Sequence, residues 1–157
     1  DENDVGMWAL PLIHNAGMLF TVIPTTVTRR TNVILSSFDV EKFLAAIPKH
    51  GVTFTGSIGP VAPRIMEYPR IADFDLSSLR QFFTLSRADA LEAHTGIVSG
   101  NMFGITEGLL TACAPSDPVE VRHRGCGRPV AQGDEVRLLR PESEQEVEFG
   151  QVGELAF

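Results

Sequence analysis

The sequence predicts an α/β fold: a mostly parallel sheet with flanking helices, followed by the start of a small β-rich unit. Three observations carry this expectation. Short β-branched or apolar runs alternate with helical patterns as far as residue 112, and such alternation gives a parallel sheet with crossover helices. The stretch 39–50 has the apolar period of a helix together with start and stop signals. After Ala112 the prolines and glycines at Pro115, Pro118, Gly125, Gly127, Pro129 and Gly133 cut the chain into short pieces. That change of texture divides the chain into an α/β unit over 1–112 and a β-rich unit over 113–157.

In order, residues 5–12 read as a buried strand, and the apolar run 16–20 reads as a short buried helix. His14 and Asn15 lie between them as polar groups among apolar neighbours. If buried, each must find a hydrogen-bond partner, which for a lone histidine is more often a core group than a ligand. Residues 31–35 form a β-branched strand. In 39–50, Asp39 is the N-cap, and Phe38 with Phe43 makes a hydrophobic staple. Val40, Phe43, Leu44 and Ile47 recur at helical spacing on one face, directed at the core. Pro48 and Gly51 are expected to end this helix. Residues 52–57 are a strand, 56–63 turn into a helix ending near Tyr68, 79–85 are a strand and 88–93 a short helix. Short strands are expected at 135–139 and 152–157. Sheets of this kind bind ligands beyond the carboxyl ends of their strands. His14, Ser57, Ser86 and Phe103 are expected there.

Composition bounds the function. The 157 residues are 43% hydrophobic and 21% charged, enough apolar material for a core. A net charge of -7 and a pI near 5.0 give no basic field for nucleic acid. Cys113 and Cys126 are too few for a zinc or disulfide framework, and no apolar run has the length of a membrane span. A reducing, cytoplasmic setting is the reading. Both ends lie in apolar strands, so the chain is expected to be a piece of a longer protein, or to be covered by a second copy through those terminal strands.

The stretch Asn101-Met102-Phe103-Gly104-Ile105-Thr106-Glu107-Gly108 places an aromatic, a glycine, a hydroxyl and a carboxylate within five residues. These can supply a stacking face, close backbone approach, a phosphate donor and a metal ligand. Taken alone, the eight residues read first as a strand entering a turn. Their company changes that reading. Leu10-Pro11-Leu12-Ile13-His14-Asn15, Phe38-Asp39, His50-Gly51-Val52-Thr53 and Asp75-Leu76-Ser77-Ser78-Leu79-Arg80 precede them in order. Gly127-Arg128-Pro129-Val130, Gly133-Asp134-Glu135-Val136-Arg137 and Gly150-Gln151-Val152-Gly153-Glu154-Leu155 follow. The series resembles the landmarks of the adenylate-forming (AMP-binding) enzymes, in particular the large N-terminal domain with its flavodoxin-like subdomain. The likeness over 103–139 is greatest to aryl-acid ligases of the dihydroxybenzoate or salicylate type, which serve siderophore assembly.

The resemblance implies activation of a carboxylic acid by ATP and magnesium as an acyl- or aryl-adenylate, then transfer to a thiol of CoA or a carrier protein. It would make Phe103 the adenine-stacking ring, Gly104 the point of close backbone approach, Thr106 a phosphate donor and Glu107 the magnesium ligand. His14, Asn15 and Leu110 would border the acid. An amino-acid substrate is not implied, since Asn15 is uncharged. The alternatives are an acyl-CoA synthetase for an aliphatic acid and a non-catalytic binding or scaffold homologue. Phe20 stands where aryl-acid ligases often carry a small residue and would reshape the pocket. Leu85-Ser86-Arg87-Ala88 replaces a glycine-rich turn, so Ser86 and Arg87 are expected to intrude on the nucleotide wall. The phosphate loop, the ribose-binding aspartate and the lid lysine of the family lie outside these residues, so the isolated chain is expected to be inactive.

Overall fold

A computed structural model describes residues 2–157. Strand β1 (Val5–Trp8) leads through a loop to a helical run made of α1 (Asn15–Gly17), a π-helical turn (Met18–Val22) and α2 (Ile23–Thr28). Then come β2 (Thr31–Ile34), α3 (Val40–His50), β3 (Phe54–Gly56), α4 (Val61–Met66), β4 (Gln81–Thr84), α5 (Ala88–Thr95) and β5 (Ser99–Gly104). The chain continues with β6 (Leu110–Ala112), α6 (Val119–Arg124), β7 (Arg128–Pro129), β8 (Arg137–Leu139) and β9 (Glu154–Ala156). Seven strands form one sheet in the order β2-β1-β3-β4-β5-β6-β7. The first five are parallel, and β6 and β7 extend the sheet antiparallel. Strands β8 and β9 make a separate antiparallel pair. The expected α/β architecture is what the chain adopts.

Helix α3 follows its sequence signals. The Asp39 carboxylate accepts from Lys42 N–H at 2.9 Å, and the Phe38 and Phe43 rings meet edge-on at 5.5 Å. Phe43, Leu44 and Ile47 are fully buried beside Val61, Ile65, Phe82 and Leu91, the core under one face of the sheet. Pro48 does not end the helix, which runs on to His50; proline removes only its own N–H from the ladder. The stop is Gly51, left-handed at φ 60, whose N–H bonds to the Ile47 carbonyl.

Three expectations need correction. The helix placed at 16–20 is part of a run reaching Thr28, in which only Gly17 and Thr21 are buried. His14 is exposed and Asn15 half-buried, so neither is a core polar group. The terminal strand β9 is mostly exposed, because among the described residues it pairs with β8 alone. Gly127 has φ +73 and packs so tightly on the Ala112 carbonyl that a Cβ has no room. This contact holds the 125–127 turn against β6, where Ala112 pairs with Arg128.

Candidate active site

Beyond the carboxyl ends of the central strands lies a cleft of about 370 Å³. The loop and helical run after β1 give it His14, Asn15, Ala16, Leu19 and Phe20. Strand β5 and the turn after it give Met102, Gly104, Ile105, Thr106 and Glu107, and Leu109 and Leu110 close it from the β6 side. Ile58 and Leu85, just after β3 and β4, complete the lining.

Local chemistry fixes both walls. His14 caps α1, its Nδ1 accepting from Ala16 N–H at 3.2 Å. Gly17 lies against the preceding loop, where a Cβ would come within 2.7 Å of Leu12 Cα, so the loop folds back tightly and sets Asn15 and Ala16 at the cleft. The π-helical turn at Met18–Val22 follows directly; such bulges re-aim side chains within a helix. Opposite, Ile105 N–H bonds to the Leu109 carbonyl at 3.0 Å and Gly108 adopts φ +135, closing a tight turn. Thr106 and Glu107 are exposed at its tip. The strand-into-turn reading therefore describes the backbone of this stretch, and the turn presents the hydroxyl and carboxylate to the cleft.

Of the residues singled out from sequence, His14, Asn15, Gly104, Thr106, Glu107 and Leu110 meet in this cleft. Phe103 does not line it. Within β5 it alternates with Met102 and Gly104, which puts its half-buried ring on the other face of the sheet. It lies inside the strand rather than beyond its end. Ser57 serves the fold: it is buried, and its hydroxyl donates to the Phe83 carbonyl at 2.9 Å. Ser86 and Arg87 line a smaller hollow of about 170 Å³ with Ser57, Ala62 and Met66, so only Leu85 of that turn reaches the main cleft. Arg87 holds the left-handed conformation at φ 64, and its turn is braced by Thr84 Oγ1 donating to the Ser86 carbonyl at 2.9 Å.

A buried polar network braces β5 from its amino-terminal end at Ser99, opposite the cleft, and left no sequence signal. Glu92 on α5 accepts from Arg122 on α6 at 2.5 Å and 3.3 Å, and from Ser99 N–H at 2.9 Å. His123 Nε2 lies 3.0 Å from the same carboxylate. The Arg122 side chain is 5% exposed, and its hydrogen bonds bring the Glu92 carboxyl down to about 2 despite the opposing cost of burial. Asn101 ties the same elements together, accepting from Ala88 N–H at 3.2 Å and donating to the His123 carbonyl at 2.8 Å. Residues thirty apart in sequence thus clamp α5 and α6 onto β5, whose end carries the Thr106–Glu107 turn.

Among the described residues no three metal-ligating side chains cluster. Glu107 stands as a single exposed carboxylate, a donor set that suits magnesium arriving on phosphate oxygens better than an ion held by protein alone. No helix of the described residues is long and apolar enough to cross a membrane.

The class of protein follows from comparison. The family model for AMP-binding enzymes matches residues 1–157, and the chain belongs to that family. It is 32% identical over 162 residues to pyochelin synthase PchD of Pseudomonas aeruginosa, covering 99% of this chain and 29% of that protein. It is 26% identical over 165 residues to 4-coumarate–CoA ligase 1 of Solanum tuberosum, covering 98% of this chain and 30% of the ligase. The crystal structure of ATP-bound MatB from Rhodopseudomonas palustris superposes with a TM-score of 0.80 at 26% identity, over 98% of this chain and 31% of MatB. The chain thus spans about three-tenths of the length of the relatives it matches.

Proposed function

We propose that this chain carries the acid pocket and part of the nucleotide site of an enzyme that activates a carboxylic acid with ATP and passes it to the thiol of CoA or a carrier protein. The observation that carries the reading is the meeting of His14 and Asn15 with Thr106 and Glu107 in one cleft beyond the carboxyl ends of a parallel sheet. In this assignment Thr106 donates to the phosphate that the acid attacks, Glu107 holds magnesium, and Gly104 lets the nucleotide approach the backbone. Phe103 is the adenine platform on the other face of β5. His14, Asn15 and Leu110 border the acid. Magnesium, when bound, offsets the phosphate charge; the chain's own residues position the two reactants, which is the main demand of this chemistry.

The acid is an aryl acid. Leu19, Phe20, Met102 and Leu109 give the cleft apolar walls, while the imidazole and amide at one end suit a carboxylate or ring hydroxyl. Residues 1–112 form the unit with the acid pocket, and 113–157 begin the β-rich unit. The isolated chain lacks turnover, because charge neutralisation of the departing phosphates needs donors beyond these residues. The test is pyrophosphate exchange into ATP by the full-length protein, with salicylate and dihydroxybenzoate against octanoate. Exchange that is greatest with an aryl acid and abolished by Glu107→Ala is expected; preference for octanoate would overturn the aryl assignment.

A further inference from the structure

Another hollow, of about 420 Å³, lies at the other end of the sheet from the acid cleft. Asp4, Arg30, Phe54, Arg80, Gln81 and Phe83 line it. Asp4 and Arg30 stand just before β1 and β2, and Phe54 and Gln81 open β3 and β4, so the hollow belongs to the amino-terminal ends of the strands. Phe54 pairs with Gln81 and Thr55 with Phe82, which puts Phe54, Gln81 and Phe83 on the face turned away from Phe82 and its packing with α3. The Phe54 and Phe83 rings meet edge-on at 6.1 Å and give the hollow an apolar floor.

The polar groups of this hollow are unevenly matched. The Arg30 guanidinium lies 4.2 Å from the centroid of the Phe54 ring and donates to the Phe20 carbonyl. Both of these partners are neutral. Arg30 Nε is buried without a hydrogen-bond partner, and burial pushes the pKa of the side chain down with no carboxylate to oppose it. Arg122, by contrast, meets the Glu92 carboxylate. An arginine withdrawn from water onto neutral partners loses hydration that an anion can replace. Arg80, at the same hollow, donates to the Asp4 carboxylate, which also accepts from the Thr53 hydroxyl at 3.1 Å. Two arginines thus face one aspartate, an excess of one positive charge on a chain whose net charge is -7. A role for Arg30 as a strut between Phe20 and Phe54 accounts for one N–H and the ring contact. It leaves the Nε–H and the charge without a use.

We propose that this hollow binds a small aromatic monocarboxylate, at a site separate from the acid cleft. The ring lies over Phe54 and Phe83, and the carboxylate accepts from Arg30 Nε–H and is drawn by Arg80. One negative charge balances the excess in the hollow. A phosphate dianion would leave a negative remainder beside Asp4, and a neutral amide would leave the Arg30 charge as it is. The inference does not rest on the acid-pocket reading, since none of these residues lines that cleft.

The isotopically labelled chain is titrated with phenylacetate, phenylacetamide and phenyl phosphate, followed through the Arg30 Nε–H resonance and the backbone amides of Phe54, Gln81 and Phe83. Phenylacetate is expected to move these signals and to bind at least about tenfold more tightly than phenylacetamide, the scale of a hydrogen bond to a charged group. Phenyl phosphate is expected to bind more weakly than phenylacetate. Arg30→Met is expected to lose at least about tenfold in phenylacetate affinity. Arg80→Gln, on an exposed side chain, is expected to lose about threefold, and it decides the matter if Arg30→Met does not fold. The proposal is overturned if the Arg30 Nε–H signal stays still at millimolar phenylacetate, if the amide binds equally well, or if a folded variant keeps its affinity. Tighter binding of phenyl phosphate overturns the assignment to a monocarboxylate. A response at Asn15 and Ala16 with none at Arg30 places the acid in the cleft alone and overturns the second site.

Discussion

Replacing Glu92 by glutamine should remove a pH-dependent share of the chain's stability. In the fold its carboxyl lies at about 2, against an ordinary value of 4.5, chiefly through hydrogen bonds from Arg122. Each pH unit between folded and unfolded values is worth about 1.4 kcal/mol, so the carboxylate contributes roughly 3 kcal/mol when ionised. The Glu92 side chain is 25% exposed and its partner 5%, so solvent screens the pair little. Because the folded value lies below the unfolded one, the contribution is whole above pH 4.5 and is lost as pH falls towards 2. Glu92→Gln should therefore be about 3 kcal/mol less stable at pH 7, a size also expected when a buried ion pair loses one partner. The deficit should shrink across that acid window, where the parent loses its own charge. Urea unfolding of parent and variant at intervals from pH 7 to pH 2 reads this directly. Parallel stability profiles, offset by the same amount at every pH, would refute the argument that ionisation of Glu92 clamps α5 to α6.

Other perturbations give separate outcomes. Gly127→Ala should destabilise by at least about 1–3 kcal/mol from its left-handed backbone alone, with more from the collision at Ala112, read as a lower urea midpoint. Arg87→Gly should raise stability by about 0.5–1 kcal/mol, since glycine relieves the conformation at φ 64 at some entropic cost in the unfolded chain. Asn15→Ala should weaken salicylate binding by about 1–3 kcal/mol, the cost of leaving a polar group of the acid without a partner, measured by calorimetry. Glu107→Gln should abolish the magnesium dependence of ATP binding while leaving the urea midpoint unchanged, because its side chain lies exposed at a turn.

The parts of the molecule legible in sequence are those whose causes are local. Helix α3 could be read because cap, staple, apolar stripe and terminal glycine all lie within fourteen residues, and each does in the structure what its chemistry requires. The helical run after β1 could be read only over 16–20. Its second half is rich in β-branched residues, and the Thr25, Thr26 and Thr28 hydroxyls bond to carbonyls four residues back, which accommodates threonine in a helix that propensity alone argues against. The carboxylate and hydroxyl at Thr106–Glu107 could be picked out by composition, but their meeting with His14 and Asn15 depends on strand order β1-β3-β4-β5, which no local pattern fixes. The Glu92–Arg122 pair joins residues 30 apart in sequence, and only the packed sheet brings them together.

The central claim is that one cleft receives a carboxylic acid at His14 and Asn15 and the phosphates of a nucleotide at Thr106 and Glu107. Backbone amide resonances of the isotopically labelled chain, followed while salicylate and then magnesium–ATP are added, test it most directly. Salicylate should shift Asn15, Ala16 and Leu110, and magnesium–ATP should then shift Thr106, Glu107 and Gly108. Glu107→Gln should suppress the second set and leave the first. Shifts from the two ligands that fall on unconnected surfaces, or a first set absent at millimolar salicylate, would contradict the account.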